Sequence, residues 1–301
     1  MEPSNNRDRL FHRVQQTGVT TMRIGVIADW LNPTMEQLMG LLTERGVNIS
    51  LIFPEKQLTD LAELRVEHDL YLLKSGTEPA LSIAGSLHMQ GAITLNPYPT
   101  VAMLRNKVIV MRALQAAGIP VPATYMTSTA TDLLPLLEAG PLILKPYRGT
   151  RGRGVRVLRT AEDLVDLPED DLLLAQRYHA PDDAAGRDHK LFRIGDRIFG
   201  IQRVWPIRTY EDKRGEPFDP SPELQAIALR CGQAFGIDLY GLDVVISDGQ
   251  PYVVDLNKFG SYMGVPNAAQ LLADHIFAAG QRAKRGEPLM STPASNSGTA
   301  L

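Results

Sequence analysis

Oxygen-bearing side chains lie on two neighbouring apolar segments near the carboxyl end of the chain. Asp243 stands in LYGLDVVIS, and Asp255 and Asn257 stand in PYVVDLN. If residues 247–250 turn these segments into an antiparallel hairpin, the two aspartates face each other and Asn257 lies on the same side. Adjacent carboxylates repel unless a cation lies between them, and hard oxygen donors suit Mg²⁺, with Mn²⁺ as the alternative. The spacing therefore predicts a metal site; the other interpretation is an edge strand with polar ends.

A glycine-rich segment, YRGTRGRGV, follows a lysine-bearing apolar strand, LILKP. Gly149, Gly152 and Gly154 allow several backbone N–H groups to point at one anion. The segment lacks the Gly-Lys-Ser/Thr of a Walker loop, and a strand rather than a helix follows it. Lys145 inside the apolar strand must reach water or meet an anion. Together these features predict a lid over phosphates, and the alternative is a surface hairpin tip.

The elements that position these residues fall into several regions. Residues 22–105 alternate short strands with helices and predict a small parallel α/β domain. Such sheets bind ligands beyond the carboxyl ends of their strands, which selects Asp29 and Lys74 as candidate substrate contacts. Residues 106–205 predict a linking helix and a central α+β lobe, and residues 206–280 a second α+β lobe with the metal site. We expect residues 1–21 to be a flexible extension and residues 281–301 a disordered tail.

Composition narrows the functional class. The chain has 301 residues, a formal net charge of −3 and a pI near 6.1, which argue against nucleic acid as a partner. No apolar run approaches the length of a membrane span, so no membrane association is predicted. Cys231 is the single cysteine, which excludes an intrachain disulfide, favours a cytoplasmic location and indicates a buried structural thiol. A small-molecule acceptor substrate is the expected partner, and homo-oligomer formation is left open.

In this order the motifs resemble the ATP-grasp superfamily over residues 22–280. The resemblance is closest to its ribosomal-protein glutamate ligases, whereas DLNKFGSYMGVP is similar to the metal loop of inositol trisphosphate kinases. The resemblance implies an ATP-grasp fold, in which a small parallel α/β domain precedes two α+β lobes that enclose ATP. It also implies ATP and Mg²⁺ as cofactors.

Matching positions imply specific roles. ATP-binding positions are Lys107 and Lys145, the lid residues Gly149, Thr150, Arg151, Gly152 and Gly154, the adenine-reading strand Gln176, Arg177 and Tyr178, and the ribose-binding Asp188. Magnesium positions are Asp243, Asp255 and Asn257. Lys190 and Arg203 match basic residues that contact the transferred phosphate or the reacting substrate. Arg208, expected beside the lid, joins Asp29 and Lys74 as an acceptor contact.

The nucleotide positions are compatible with more than one reaction. A ligase would activate a carboxylate as an acyl phosphate and pass it to an amine, whereas a kinase would phosphorylate a polyol or an inositol-phosphate hydroxyl. A regulatory nucleotide-binding module without turnover is a third class. Departures from the ligase pattern are Asp255 in place of glutamate and Arg177 in the hinge, and the kinase-like loop itself departs from the kinase pattern with Gly260-Ser261 in place of Pro-Gly. Ligases dominate the superfamily, so ligation is the favoured prediction.

Overall fold

Three β-sheets organise the part of the chain that the structure describes. The computed structural model describes residues 21–147, 154–165, 167, 172–183, 185–204 and 209–290. Within them, the first sheet is parallel and the other two are antiparallel, with helices packed on each. The predicted fold class, a parallel α/β domain followed by α+β lobes, is confirmed. Among the helices of these ranges, none combines the length and apolarity needed to cross a bilayer.

The amino-terminal unit is a parallel sheet with two helical crossovers. It comprises β1 (Arg23–Ile27), β2 (Asn48–Ile52), β3 (Leu70–Leu73) and β4 (Thr94–Leu95), with α1 (Pro33–Glu44) and α2 (Glu78–Met89). The strand order is β2-β1-β3-β4. Consecutive residues of β1 point to opposite faces, so Val26 packs in the core that contains α1 and Ile27 in the core that contains α2. The helices therefore cover both faces, as in a doubly wound sheet.

A linking segment leads to the middle sheet. It holds α3 (Tyr98–Met103) and α4 (Lys107–Ala116), and Asn106 caps α4 by accepting hydrogen bonds from the N–H groups of Val108 and Ile109. The sheet contains β5 (Thr124–Thr127), β6 (Leu142–Pro146), β7 (Arg156–Leu158) and β8 (Leu173–Arg177), in the order β5-β8-β6-β7. The short α5 (Leu134–Glu138) and 3-10 turns at Ala130–Leu133 and Ala161–Leu164 accompany it.

The third sheet has five antiparallel strands in the order β11-β10-β9-β12-β13. They are β9 (Arg187–Ile194), β10 (Arg197–Val204), β11 (Glu216–Phe218), β12 (Leu239–Ser247) and β13 (Gln250–Asn257). The helices of this part are α6 (Tyr210–Arg214), α7 (Pro222–Phe235) and α8 (Ala268–Lys284). One face of the sheet packs against α7 and α4 through apolar side chains such as Leu191, Leu242 and Ile227. The opposite face carries polar residues at one end, and at the other Phe192, Ile194 and Leu239 pack in the core that contains the first sheet.

The lobe boundary differs from the predicted one at residue 205. The hairpin β9-β10 pairs with β12 and therefore belongs to the third sheet rather than to the central lobe. The sequence pattern predicts the hairpin but does not specify which strand it pairs with. Burial decides the pairing, since Leu191 of β9 and Leu242 of β12 are opposite each other over the α7 core.

The last helix differs from its predicted place in two ways. First, Leu272 and Ile276 of α8 pack with Ile24 and Val26 of the first sheet, so the helix covers the amino-terminal unit. Second, α8 continues past Gly280 to Lys284, so the predicted tail does not begin at residue 281. Gly280 does not end the helix but allows close approach, because a Cβ there would lie 2.5 Å from Met22 Sδ. Residues 1–20 and 291–301 lie outside the described ranges.

The β12-β13 turn yields a stability prediction. Asp248 and Gly249 have φ values of 51° and 72°, the left-handed conformations that a two-residue hairpin turn requires. We expect Gly249→Ala to destabilise the protein by about 1 kcal/mol, because a Cβ is disfavoured in that region. Gly40→Ala is the matched control: nothing lies within 4 Å of a Cβ added at this mid-α1 glycine, so we expect a gain of roughly 0.5–1 kcal/mol. Urea unfolding measures both, and equal shifts would contradict the turn assignment.

Candidate active site

A row of charged residues crosses the polar face of the third sheet. Asp255 of β13 lies directly opposite Asp243 of β12, and Asp243 lies directly opposite Lys190 of β9. The predicted pairing of the two aspartates is therefore confirmed. Directly opposite residues of antiparallel strands project to the same side, so the three side chains share one face. Asn257 joins them, since its Nδ2 donates to Asp243 Oδ2 at 3.1 Å.

A β-bulge creates this alignment. From the turn outward, Ser247 pairs with Gln250 and Val244 with Val253, and continuing that register would place Val254 opposite Asp243. The register shifts between Asp243 and Val244, so that Asp255 takes the place instead. Because a one-residue shift moves side chains to the other face, the bulge keeps the second carboxylate on the polar side.

Asp243 is held by two cations. Lys190 Nζ lies 2.8 Å and Arg203 Nη2 lies 2.7 Å from Asp243 Oδ1. Burial would raise the pKa of Asp243, but the charges of Lys190 and Arg203 outweigh it and hold that pKa well below its usual value. The carboxylate is therefore ionised at neutral pH and available as a ligand.

Arg203 also organises its neighbour on β9. Its Nε and Nη2 donate to Oδ1 and Oδ2 of Asp188 at 3.0 and 2.6 Å, a bidentate pair that fixes the guanidinium plane. Burial raises the pKa of Asp188, although Arg203 opposes this shift. Both Asp188 oxygens thus accept from Arg203, so the predicted ribose contact would have to share them.

Lys107 reaches the site from the first residue of α4. Its Nζ lies 2.6 Å from Asp255 Oδ1, and its backbone N–H donates to Tyr147 O at 3.1 Å. A cation at a helix amino terminus opposes the helix dipole. The ion pair with Asp255 offsets that cost, and an anionic ligand would offset it further.

Lys145 approaches from the middle sheet. Its Nζ donates to the carbonyl of Val254, the bulge residue, at 2.9 Å. Burial lowers the pKa of Lys145 to about 8, and Lys107 lowers it while Asp255 and Asp243 act in the opposite direction. The two sheets therefore meet at a lysine whose charge is costly to bury without an anion.

The charge of this cluster suits a polyphosphate. Four cations, Lys107, Lys145, Lys190 and Arg203, surround three carboxylates, those of Asp188, Asp243 and Asp255. The cluster therefore carries a net positive charge even with all its ion pairs formed. An anion between the second and third sheets would complete the compensation.

The donor set also fits a divalent cation. Asp243, Asp255 and Asn257 offer two carboxylates and an amide oxygen on one face, the hard ligands that Mg²⁺ and Mn²⁺ take. Within the described residues, no three His, Cys, Asp or Glu side chains are placed so that they could together hold a metal ion. A cation here would thus need further oxygens, which nucleotide phosphates supply.

One face of the middle sheet borders the space between the second and third sheets, which we call the cleft. The opposite face packs in the core that contains α5, through Leu142, Leu144 and Ala175. Alternation leaves Lys145 and Gln176 on the cleft side, where Gln176 lies opposite Ile143 and Thr124. Gln176 Nε2 donates to Thr124 Oγ1 at 3.0 Å, while its buried Oε1 has no hydrogen-bond partner. An amino group of a nucleotide base would satisfy that acceptor.

The hinge residues beside Gln176 have structural contacts. The Arg177 guanidinium donates to the carbonyls of Leu136 and Gly140, and its backbone N–H donates to Ala123 O at 2.9 Å. Tyr178 N–H donates to Pro141 O at 3.0 Å. The backbone N–H groups of both residues are therefore engaged, which leaves only their carbonyl oxygens for the predicted adenine contact.

Part of the predicted lid lies outside the described residues. Gly149, Thr150, Arg151 and Gly152 fall there, as does Arg208. Gly154 is described, with φ of 75°. A Cβ at Gly154 would also approach Pro146 Cγ to 2.9 Å, so glycine is required for conformation and for space.

The predicted acceptor contacts lie at the mouth of the first sheet. Lys74 Nζ lies 5.8 Å from the ring centroid of Trp30 and 5.3 Å from that of Phe259. Sequence reasoning missed Lys258, which enters this region from the residue after Asn257. Burial lowers the pKa of Lys258 to about 8, with Arg105 and Lys74 acting in the same direction and Asp29 opposing them. A lysine following the metal asparagine in DLNKF was the available signal.

Cys231 takes no part in this site. It is fully buried in the core that contains α7. Burial raises the pKa of its thiol to about 12. The predicted structural thiol agrees with this environment, since an un-ionised buried thiol is a poor nucleophile.

Comparison with known proteins identifies the family model that the chain matches. Residues 104–273 match the RimK-like ATP-grasp domain. A probable alpha-L-glutamate ligase of Trichodesmium erythraeum is 24% identical over 201 residues, covering 62% of this chain and 67% of the relative. One of Pseudomonas fluorescens is 25% identical over 212 residues, covering 65% and 70%.

Solved structures share the fold. The RimK domain ATP-grasp protein of Sphaerobacter thermophilus superposes with a TM-score of 0.67 at 23% identity, covering 84% of this chain and 98% of that one. The ATP-grasp ligase PsnB, solved with a precursor peptide and AMPPNP, gives 0.66 at 18% identity, with 88% and 99% coverage. D-cycloserine synthetase DcsG gives 0.65 at 17% identity, with 84% and 99% coverage.

Lys145 yields a pH prediction. Its pKa in the free protein is depressed to about 8 from 10.5, so the ammonium begins to lose its proton there, whereas a bound polyphosphate favours the charged form. We therefore expect the affinity for a nonhydrolysable ATP analogue with Mg²⁺ to be constant below pH 8 and to fall by up to about tenfold per pH unit above it. Calorimetric titration across this range measures the slope. Lys145→Arg, which keeps its charge, should remove the Lys145 contribution; an unchanged slope in that variant contradicts the assignment.

Proposed function

This chain belongs to the RimK-like ATP-grasp family, and from that premise we infer that it is an ATP-dependent ligase that joins a carboxylate to an amine. The observation that carries the inference is the convergence of Asp243, Asp255 and Asn257 with four cations, which come from the third sheet, the middle sheet and helix α4. The arrangement offers oxygen ligands for a metal and positive charge for a triphosphate. ATP-grasp ligases in general need both.

The proposed reaction has two steps. A carboxylate oxygen of one substrate attacks the γ-phosphorus of ATP, which breaks the bond to ADP and forms an acyl phosphate. The amine of the second substrate then attacks the acyl carbon, an amide forms, and inorganic phosphate leaves with the bonding electrons of the C–O bond. The amine loses a proton to the solvent in this step.

The residues of the cluster divide the work between binding and charge compensation. Lys107 enters the cleft from α4 and Lys145 from β6, and both hold the phosphate oxygens. Asp243, Asp255 and Asn257 would hold Mg²⁺, which when bound offsets charge on the β- and γ-phosphates. Since Lys107 and Asp255 already contact each other, nucleotide binding must redistribute that ion pair.

Lys190 and Arg203 act on the transferred group. Both donate to Asp243, so their donors are fixed beside the metal ligands before any substrate binds. Preorganised donors stabilise developing charge without a reorganisation cost. We assign them to the transferred phosphoryl group and to the oxyanion formed when the amine attacks.

The names of the relatives indicate a broad substrate class. The relatives reported above are named glutamate ligases, PsnB was solved with a precursor peptide, and DcsG is a synthetase. We infer a small-molecule or peptide carboxylate as the acceptor. None of the relatives and structures named above is a kinase, so the kinase-like pattern of the loop after Asp255 has no counterpart in their activities.

The direct test is product identification. We expect incubation with ATP, Mg²⁺ and pools of amino acids and short peptides to give an amide-linked product, ADP and inorganic phosphate in equal amounts. Mass spectrometry identifies the product, and phosphate release is followed in parallel. A phosphorylated acceptor without free phosphate would instead establish a kinase.

The metal assignment yields a mutational prediction. We expect Asp255→Ala to lower Mg²⁺-dependent turnover by about a hundredfold or more, because one of two carboxylate ligands is lost. Asp274→Ala is the matched control, since Asp274 is an exposed aspartate of α8 paired with Arg45. Both variants should keep the wild-type circular dichroism spectrum. Wild-type turnover in Asp255→Ala would contradict the assignment.

A further inference from the structure

The sheet order places a crevice at the carboxyl edge of the amino-terminal sheet. In the order β2-β1-β3-β4, the chain leaves β1 towards one side and β3 towards the other. The loops after these two strands therefore diverge, and such switch points form ligand crevices in open parallel sheets. The loop after β1 carries Asp29 and Trp30, and the loop after β3 carries Lys74 to Thr77.

Lys258 enters this crevice from the other side. A Cβ added at Gly76 would overlap Lys258 Nζ, so the ammonium lies against the glycine backbone. Arg105 donates to the carbonyl of the same glycine. Two cations thus contact one residue of the β3 loop, with Lys74 two residues earlier in the chain.

The carboxylates near Lys74, Arg105 and Lys258 lie mostly on the solvent side of these cations. Arg105 Nη2 pairs with Glu78 Oε1 at 2.7 Å, and the Glu78 side chain is 67% exposed whereas that of Arg105 is 19% exposed. Glu55 accepts from Thr77 and is exposed as well. Asp29 is close enough to Lys258 to raise the pKa of its ammonium, whereas Arg105 and Lys74 lower that pKa. The inner side of the loop is therefore dominated by cations.

We propose that Lys258, Lys74 and Arg105 form a pocket that anchors the substrate of the ligase function proposed above, on which this step rests. The pocket binds a second carboxylate of that substrate, distinct from the carboxylate that ATP activates. Lys258 follows Asn257 directly, so the pocket is one residue from the proposed metal ligands. Trp30 and Phe259 flank Lys74, and the exposed Trp30 ring provides an aromatic surface for the carbon chain of the substrate. Lys258 thus connects acceptor recognition to the phosphate site.

Gly76 allows this proposal to be tested without removing a charge. Its φ lies outside the left-handed range, so alanine is compatible with the backbone. The added Cβ would displace the Lys258 ammonium, which is the flexible end of a side chain. Gly76→Ala and Lys258→Met therefore perturb one contact from its two sides. Lys284→Met is the control. Lys284 is the last residue of α8, and Gly280, one turn earlier, packs against Met22 just ahead of β1, at the end of the first sheet opposite to the crevice.

The experiment measures binding of succinate, with uncharged succinamide as its match, to full-length protein saturated with Mg²⁺ and a nonhydrolysable ATP analogue. We expect saturable succinate binding that is at least about fivefold weaker in Lys258→Met and in Gly76→Ala, and unchanged in Lys284→Met. The double variant should bind no more weakly than Lys258→Met alone, because both changes act on one contact.

Three outcomes would overturn the pocket: no succinate binding by the wild type, equal binding of succinamide, or equal affinity in all variants. Thermal unfolding of each variant checks the fold, and the two single variants provide independent tests. Because the assay requires no turnover, its failure is distinguishable from failure of the ligase function. The latter would appear as the absence of an amide product in the pool incubation.

Discussion

The placement of two aspartates opposite each other on β12 and β13 is the constraint on which the site depends. Asp243 and Asp255 are opposite each other in the sheet, and like charges in such a pair are destabilising unless they are compensated. Lys190 and Arg203 compensate the first and Lys107 the second. Removing one partner would leave a partly buried charge without its counter-charge, which is destabilising. The carboxylates and their cations are therefore maintained together, and the proposed nucleotide would exchange partners within an existing network.

This network also joins the three sheets. Lys107 begins the linking helix α4, Lys145 belongs to the middle sheet, and Lys258 extends from the third sheet to the first. The bulge at Val254 serves two of these connections, since it aligns Asp255 with Asp243 and its carbonyl accepts from Lys145. Bulges are common next to active sites for this reason: one additional residue re-aims side chains without breaking the sheet.

Much of the arrangement follows from local sequence rules. The Asp248-Gly249 turn, the alternation along β12 and β13, and the helix starting after Asn106 were predictable from turn chemistry, period and capping. Pairing choices were not. The β9-β10 hairpin joins the third sheet through burial of Leu191 against α7, and α8 covers the first sheet, both long-range effects that no local pattern encodes. Gly280 was wrongly predicted to end the last helix, because glycine is favoured both where a helix ends and where a helix packs closely on a neighbour.

The site residues also divide into those that local sequence reveals and those that only long-range packing brings together. Asp243 and Asp255 were identifiable because polar residues inside apolar strands are costly without a partner. Lys258 and Arg105 were missed because each looks like an ordinary strand-end or linker cation until the fold places them at Gly76. Nothing in the local pattern relates residues 76, 105 and 258. Only the parallel sheet order, which opens a crevice between β1 and β3, gives their shared charge a location. In this chain the proposed metal ligands thus come from one hairpin, β12-β13, whereas the proposed acceptor pocket is assembled by tertiary structure.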